Sequence, residues 1–182
     1  PEITGNILYL RMYDFSQKYS FLALPLFIFM GLMLERAGTV EDMYKAMYLW
    51  LGGYRGGLAV CTVLVGTILA ACVGVIAAST TMLALVALPS MIKRGYSKSL
   101  ASGTTAVSGT LGILIPPSIM LVVFGPLANL SVGKLFFGAF IPGFLLAGLY
   151  ITYITIRSFL QPELAPVVPA EERAIPFGRK IS

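Results

Sequence analysis

The sequence predicts an all-α membrane protein with transmembrane helices, a re-entrant helical hairpin and a discontinuous helix. Three observations carry that prediction. Of 182 residues, 57% are apolar and only 12% charged, against roughly 45–50% and 25% in soluble domains. Four stretches contain no charged side chain at all: Tyr19 to Leu34, Gly56 to Ile92, Ser99 to Gly133 and Leu135 to Ile156. Two of these are interrupted near their centres by residues that a regular helix does not tolerate.

Residues 1–18 read as an N-terminal connecting segment and 19–38 as a transmembrane helix. Its charge-free part is short but extends helically to Glu35 and Arg36, with Gly38 as its end. An interfacial amphipathic helix is expected over 39–55. Thr39 with Asp42 resembles a capping box, and Val40, Met43, Tyr44, Met47, Tyr48 and Leu51 recur at i, i+3, i+4 spacing, with Trp50 near the end. The alternative is a short amphipathic helix packed on another subunit.

A straight helix from Gly56 to Ile92 would be roughly 55 Å long against a hydrocarbon core of about 30 Å. The chain therefore bends, breaks or doubles back. A re-entrant hairpin over 56–95 leaves Lys93, Arg94 and Lys98 on the same side as Arg36 and Arg55, which the positive-inside rule favours. Two short full crossings remain the alternative. The tip falls at Gly74-Val75-Ile76-Ala77-Ala78-Ser79-Thr80-Thr81, with Ser79 capping a descending arm from Thr80 to Lys93 and Ser97 capping the next helix.

A discontinuous helix follows over 96–130. Ser108-Gly109-Thr110-Leu111-Gly112-Ile113-Leu114-Ile115-Pro116-Pro117-Ser118 lies inside an apolar run, and proline removes a backbone donor and clashes with the preceding turn. The bland alternative is a proline kink buried in a bundle. An ordinary span covers 131–160. Over 161–182, prolines 162, 166, 169 and 176 alternate with Glu163, Glu171, Glu172 and Arg173, as in a solvated cytoplasmic linker to a second half outside this sequence.

Composition excludes several functions. The chain has no histidine, so imidazole proton shuttling and Ser-His or Cys-His nucleophile pairs are absent from it. No apolar run holds an Asp, Glu, Lys or Arg, which leaves an intramembrane enzyme almost no acid–base equipment. The net charge of +5 comes from cations strung between apolar runs, a pattern of membrane-flanking loops and not of a nucleic-acid surface. Membrane lipid is the expected surrounding.

The two breaks suggest a site. A half-helix ending near Gly109 presents free carbonyls and partial negative charge, whereas half-helices starting near Ser79 and Pro117 present free N–H groups and partial positive charge. Secondary transporters hold coupling ions and carboxylates in this way. Ser79, Gly109, Thr110 and Gly112 are therefore the candidate Na+ ligands. Thr80, Pro116, Pro117 and Ser118 are the candidate substrate contacts. In an ordinary bundle, Ser79, Thr80 and Thr81 would instead be interhelical hydrogen-bonding residues.

The run Ala77-Ala78-Ser79-Thr80-Thr81-Met82, the run Leu88-Pro89-Ser90-Met91-Ile92-Lys93-Arg94-Gly95-Tyr96, then Gly109-Thr110-Leu111-Gly112 and Ile115-Pro116-Pro117-Ser118-Ile119 resemble the large membrane subunit of tripartite ATP-independent periplasmic (TRAP) transporters. The resemblance covers about Phe21 to Phe159, the first of that family's two inverted repeats. It implies a Na+-coupled, elevator-type permease of a bacterial or archaeal inner membrane, importing small organic acids such as C4-dicarboxylates. It also implies a periplasmic substrate-binding protein for delivery and a small membrane subunit as scaffold. The tip departs from the Ser-Gly-Ser type of many members, leaving Ser79 and backbone carbonyls as its ion ligands. A channel-like or structural membrane subunit without ion coupling is the alternative function.

Overall fold

The computed structural model describes residues 2–167, and every regular element among them is helical. Eight α-helices follow in order: α1 Glu2–Ser16, α2 Ala23–Arg36, α3 Thr39–Leu51, α4 Gly57–Val73, α5 Ile76–Lys93, α6 Lys98–Leu114, α7 Ile119–Leu127 and α8 Val132–Leu160. Short 3-10 turns lie at Tyr19–Leu22 and Pro162–Leu164.

The core follows from composition. Helix α4 is apolar on all sides, and a helix of that kind belongs in the interior. Its Leu58, Ala59, Cys61, Val63, Val65 and Ala70 are fully buried. The hairpin partner α5 and the broken helix's first half, α6, pack on it, while α8 packs against α4 and α6 with most of its large apolar side chains exposed.

Three segments among the described residues are long and apolar enough to cross a bilayer: Ile76–Lys93, Lys98–Leu127 and Val132–Leu160. Helix α2 has only 14 residues, about 21 Å at 1.5 Å per residue. It reaches spanning length only if it is counted with α3, from which it is bent by 59°. The expected connecting segment at the N-terminus is largely helical, as α1. Its pattern hid this, because the described large apolar side chains from Ile7 to Tyr13 are all exposed.

The expected capping box of α3 does not form. Gly38 takes a left-handed conformation and its carbonyl accepts the Asp42 N–H at 3.3 Å, so Thr39 lies inside the helix. Asp42 pairs instead with Lys45 at 3.2 Å on the surface, where such a pair contributes about 0–1 kcal/mol. The apolar stripe of α3 packs on the hairpin, with Val40 and Tyr44 buried and Trp50 75% exposed. Arg94, at the end of α5, lies 4.5 Å over the Tyr48 ring and donates to Ser90 Oγ at 2.9 Å. This ties α3 to the hairpin's base.

The loop into α6 is fixed as expected by Ser97, whose hydroxyl accepts the Leu100 N–H at 3.2 Å. Tyr96 is buried beside it and its hydroxyl accepts the Leu58 N–H at 3.3 Å. Burial pushes the Tyr96 phenol up to about 12, so it stays neutral. The start of the expected solvated linker packs back onto this loop. Leu164 O accepts the Ser97 N–H at 3.0 Å and Ala165 is fully buried. Residues 168–182, the rest of that reading, lie outside the described residues.

Candidate functional site

The chain between Val73 and Ile76 reverses in two residues. Gly74 ends α4 in a left-handed conformation at φ 64°, donating its N–H to Ala70 O at 3.1 Å, and Val75 is extended. The hairpin tip is therefore tighter than its sequence suggests, because α5 begins at Ile76 and not at Thr80. Ser79 does not cap this helix. It lies a turn inside it, fully buried, and donates its hydroxyl to Val75 O at 3.0 Å. Thr80 likewise lies beyond the first turn, so its backbone N–H belongs to the helix ladder and only its hydroxyl is available.

The second break is where the double proline places it. Helix α6 runs to Leu114, Ile115 is extended, the Pro116-Pro117 peptide is cis, and α7 starts at Ile119 with Ser118 in the capping position. The half-helix thus ends five residues beyond Gly109. Glycine here serves close approach instead of unwinding: a Cβ on Gly109 would lie 2.8 Å from both Cα and Cβ of Thr80. The Gly109 carbonyl lies inside the helix and is used by its ladder. The carbonyls with no intrahelical acceptor role are those of the last turn, from Gly112 onward.

The two breaks meet. A Cβ on Gly74 would lie 2.9 Å from Pro117 O, 3.4 Å from Ile119 N and 3.6 Å from Ser118 Cα. On Gly112 it would lie 3.7 Å from Ser79 Oγ and 3.8 Å from Val75 N. Six of the eight singled-out residues, Ser79, Thr80, Gly109, Gly112, Pro117 and Ser118, thus lie where the tip of the hairpin meets the end of α6 and the start of α7. Pro116 is buried in the same break. Thr110 stands apart, exposed on α6, with its hydroxyl donated to Val107 O at 2.7 Å.

The polar atoms fall into two kinds. Ser79 and Thr110 have donated their hydrogens to backbone carbonyls. Thr80 Oγ1 and Ser118 Oγ are buried with no hydrogen-bond partner among the described residues, and Ser118 is 0% exposed. Leaving such a hydroxyl unpaired costs about 1–3 kcal/mol, so each is available to a ligand at the junction. Among the described residues no cluster of three His, Cys, Asp or Glu could hold a metal. A cation at this junction would have hydroxyl and carbonyl oxygens as its ligands. Sequence reasoning missed Gly74 as the contact between the breaks. Its signal was a glycine closing an apolar helical run.

Comparison with known proteins gives the family. Residues 2–177 match the model of the family described as tripartite ATP-independent periplasmic transporter, DctM component. The chain belongs to this TRAP permease family. It is 39% identical over 146 residues to a C4-dicarboxylate TRAP transporter large permease protein of Vibrio cholerae, covering 79% of this chain and 32% of that protein. The corresponding Pseudomonas aeruginosa protein is 34% identical over 160 residues, 88% of this chain and 37% of its own length. A sialic acid TRAP transporter permease of Haemophilus influenzae is 31% identical over 129 residues, 71% of this chain and 21% of that protein. The chain spans 21–37% of the length of these relatives. It is a multi-pass membrane segment of the TRAP permease type, with the junction of the two helix breaks inside it.

Proposed function

We propose that this chain forms the hairpin and broken-helix half of a Na+-coupled TRAP permease that imports small organic acids across a bacterial or archaeal inner membrane. A periplasmic binding protein delivers the acid, and a small membrane subunit is the scaffold against which the junction moves as an elevator. The observation that carries the reading is the meeting of two helix breaks around two buried, unpartnered hydroxyls. C4-dicarboxylates and sialic acid, named for two of the relatives, are carboxylates, and isethionate, named for a third, is a sulfonate, so all three are small organic acids.

The hydroxyls divide by what they have left to offer. Thr80 and Ser118 retain hydrogens to donate, which suits a carboxylate, and the amides at the start of α7 beside Pro116 and Pro117 add their partial positive charge. Ser79 has spent its hydrogen on a carbonyl and keeps lone pairs, which suit Na+, whereas Thr110, exposed and apart from the junction, is no ligand of this site. The carbonyl of Gly112, at the end of α6, joins Ser79. Gly109, whose carbonyl is used by the α6 ladder, serves the substrate side instead, through the close contact it permits with Thr80.

Ser118→Ala should weaken substrate affinity by roughly tenfold, the equivalent of about 1.4 kcal/mol, with no loss of melting temperature because Ser118 Oγ holds nothing in the fold. Ser79→Ala should instead raise the Na+ concentration for half-maximal uptake, and Thr110→Val, apart from the junction, should leave it unchanged. Proteoliposome uptake by the complete transporter, at varied substrate and Na+, separates the two. Uptake that ignores Na+ would refute the coupling, and a Na+ response altered by Ser118→Ala alone would refute the division of roles.

The re-entrant path has geometric support. The tip meets the chain at the end of α6, and α7 continues for nine residues beyond, about 13 Å. A hairpin ending there stops short of the far side if α6 and α7 cross together. Single cysteines at Lys93 or Lys98 should then label from the same side as one at Arg55. Labelling from opposite sides would show two full crossings.

A further inference from the structure

Helix α7 is the short half of the broken helix, and few of its side chains hold it in place. Of its nine residues Val122 and Gly125 are buried, while Met120, Phe124 and Leu127 are exposed. Its inner end is set by the hairpin tip, where Gly74 lies against Pro117 O and Ile119 N. Its outer end meets the start of α8. There Leu130 donates its N–H to Gly125 O at 2.8 Å, and a Cβ on Gly125 would lie 2.7 Å from Val132 Cγ2.

A residue far away in sequence joins that outer end. Lys18 lies between α1 and the 3-10 turn Tyr19–Leu22, and its carbonyl accepts the Phe21 N–H at 3.1 Å, which fixes its backbone in the approach to α2. Its half-buried ammonium donates to Pro126 O at 2.7 Å. Pro126 is in the last turn of α7, where carbonyls have no intrahelical donor, and a bond from a charged donor is stronger than one between neutral groups. The place of this charge also matters. A helix carries about half a positive charge at its N-terminal pole and about half a negative charge at its C-terminal pole. On a nine-residue helix the poles are only about 13 Å apart, so the negative pole opposes the attraction that the start of α7 exerts on an anion. An ammonium on a last-turn carbonyl removes that opposition.

We infer that Lys18 is a positioning residue of the substrate site, acting through α7. It holds the outer end of the helix and offsets its negative pole, so that Ser118 and the first amides of α7 keep both their place and their positive potential at the junction. The inference rests on the substrate role proposed for Ser118 and the start of α7. A merely structural tether would lower stability and transport rate whatever its charge. A residue acting through the pole of α7 alters affinity, and a second cation can replace it.

The complete transporter carrying Lys18→Met, Lys18→Gln, Lys18→Arg or Ser118→Ala is compared with wild type by proteoliposome uptake and by hydrogen–deuterium exchange. Lys18→Met should raise the substrate concentration for half-maximal uptake by about fivefold, the equivalent of about 1 kcal/mol. It should leave the maximal rate and the Na+ response unchanged and speed exchange in α7 but not in α4. Lys18→Gln should do the same and serves if the methionine variant folds poorly. Lys18→Arg should keep wild-type affinity and exchange. Unchanged affinity in Lys18→Met beside a weakened Ser118→Ala would overturn the role of Lys18 and leave that of Ser118 standing. An arginine variant as weak as the methionine one, or a fall in maximal rate alone, would overturn it too. If Ser118→Ala kept full affinity, the substrate role of α7 would fall and this inference with it.

Discussion

Gly109→Ala should reduce uptake by at least tenfold and lower the melting temperature, although it adds a single methyl group. That methyl would fall 2.8 Å from Cα and Cβ of Thr80 and closer still to its hydroxyl. Side-chain rotation relieves the last of these but not the first, because Thr80 Cα is backbone. Either α5 or α6 must shift, and overpacking of this kind typically costs about 1–3 kcal/mol. The shift would be felt at Thr80, whose hydroxyl is the unpartnered donor of the junction. Gly112→Ala provides the contrast. Its methyl would meet Ser79 Oγ at 3.7 Å and Val75 at 3.8 Å, which is ordinary contact, so near-normal melting is expected. Measuring both variants by thermal melting and proteoliposome uptake tests the packing directly. Equal losses for the two glycines would mean that α5 and α6 do not approach as described.

This contrast shows what the sequence could and could not convey. Glycine and proline punctuate an apolar run unmistakably, so the existence of two breaks, the helical hairpin whose tip is the first of them and the Ser97 cap were all legible. Their extent was not. A glycine required for close approach looks the same in sequence as one required for unwinding, which is why the end of α6 was expected near Gly109 and lies at Leu114. A serine in a helix's second turn looks like one that caps it, which displaced the start of α5 from Ile76 to Thr80. The deciding information is tertiary in both cases, since it is the neighbouring helix that selects the role. Thr39 failed as a cap for a local reason, because Gly38 already supplies the turn. Helix α1 lacked the one signal that pattern reading uses, a contrast between a covered and an uncovered face.

Gly74→Ala should have the larger effect on substrate handling, because it combines two penalties. The residue adopts φ 64°, and an L side chain in the left-handed region costs roughly 1–2 kcal/mol. Its methyl would also approach Pro117 O to 2.9 Å, and that oxygen is backbone in the break leading into Ser118. Gly95→Ala isolates the first penalty. Gly95 has φ 82°, and an added Cβ there meets only Pro166 Cγ, at 3.4 Å. Its variant should therefore melt lower by the conformational cost alone and keep its substrate affinity. Gly74→Ala should melt lower by about 1–3 kcal/mol more and should weaken substrate binding, since the displaced carbonyl carries Ser118 and the start of α7 with it. Adding Ser118→Ala to Gly74→Ala should then cost less affinity than it does in the wild type, because the hydroxyl it removes is already misplaced. Thermal melting and substrate titration of the three single variants and this double variant measure each of these quantities. If Gly74→Ala and Gly95→Ala proved equally costly, and Ser118→Ala lost the same affinity in both backgrounds, the hairpin tip would not be what positions the second break.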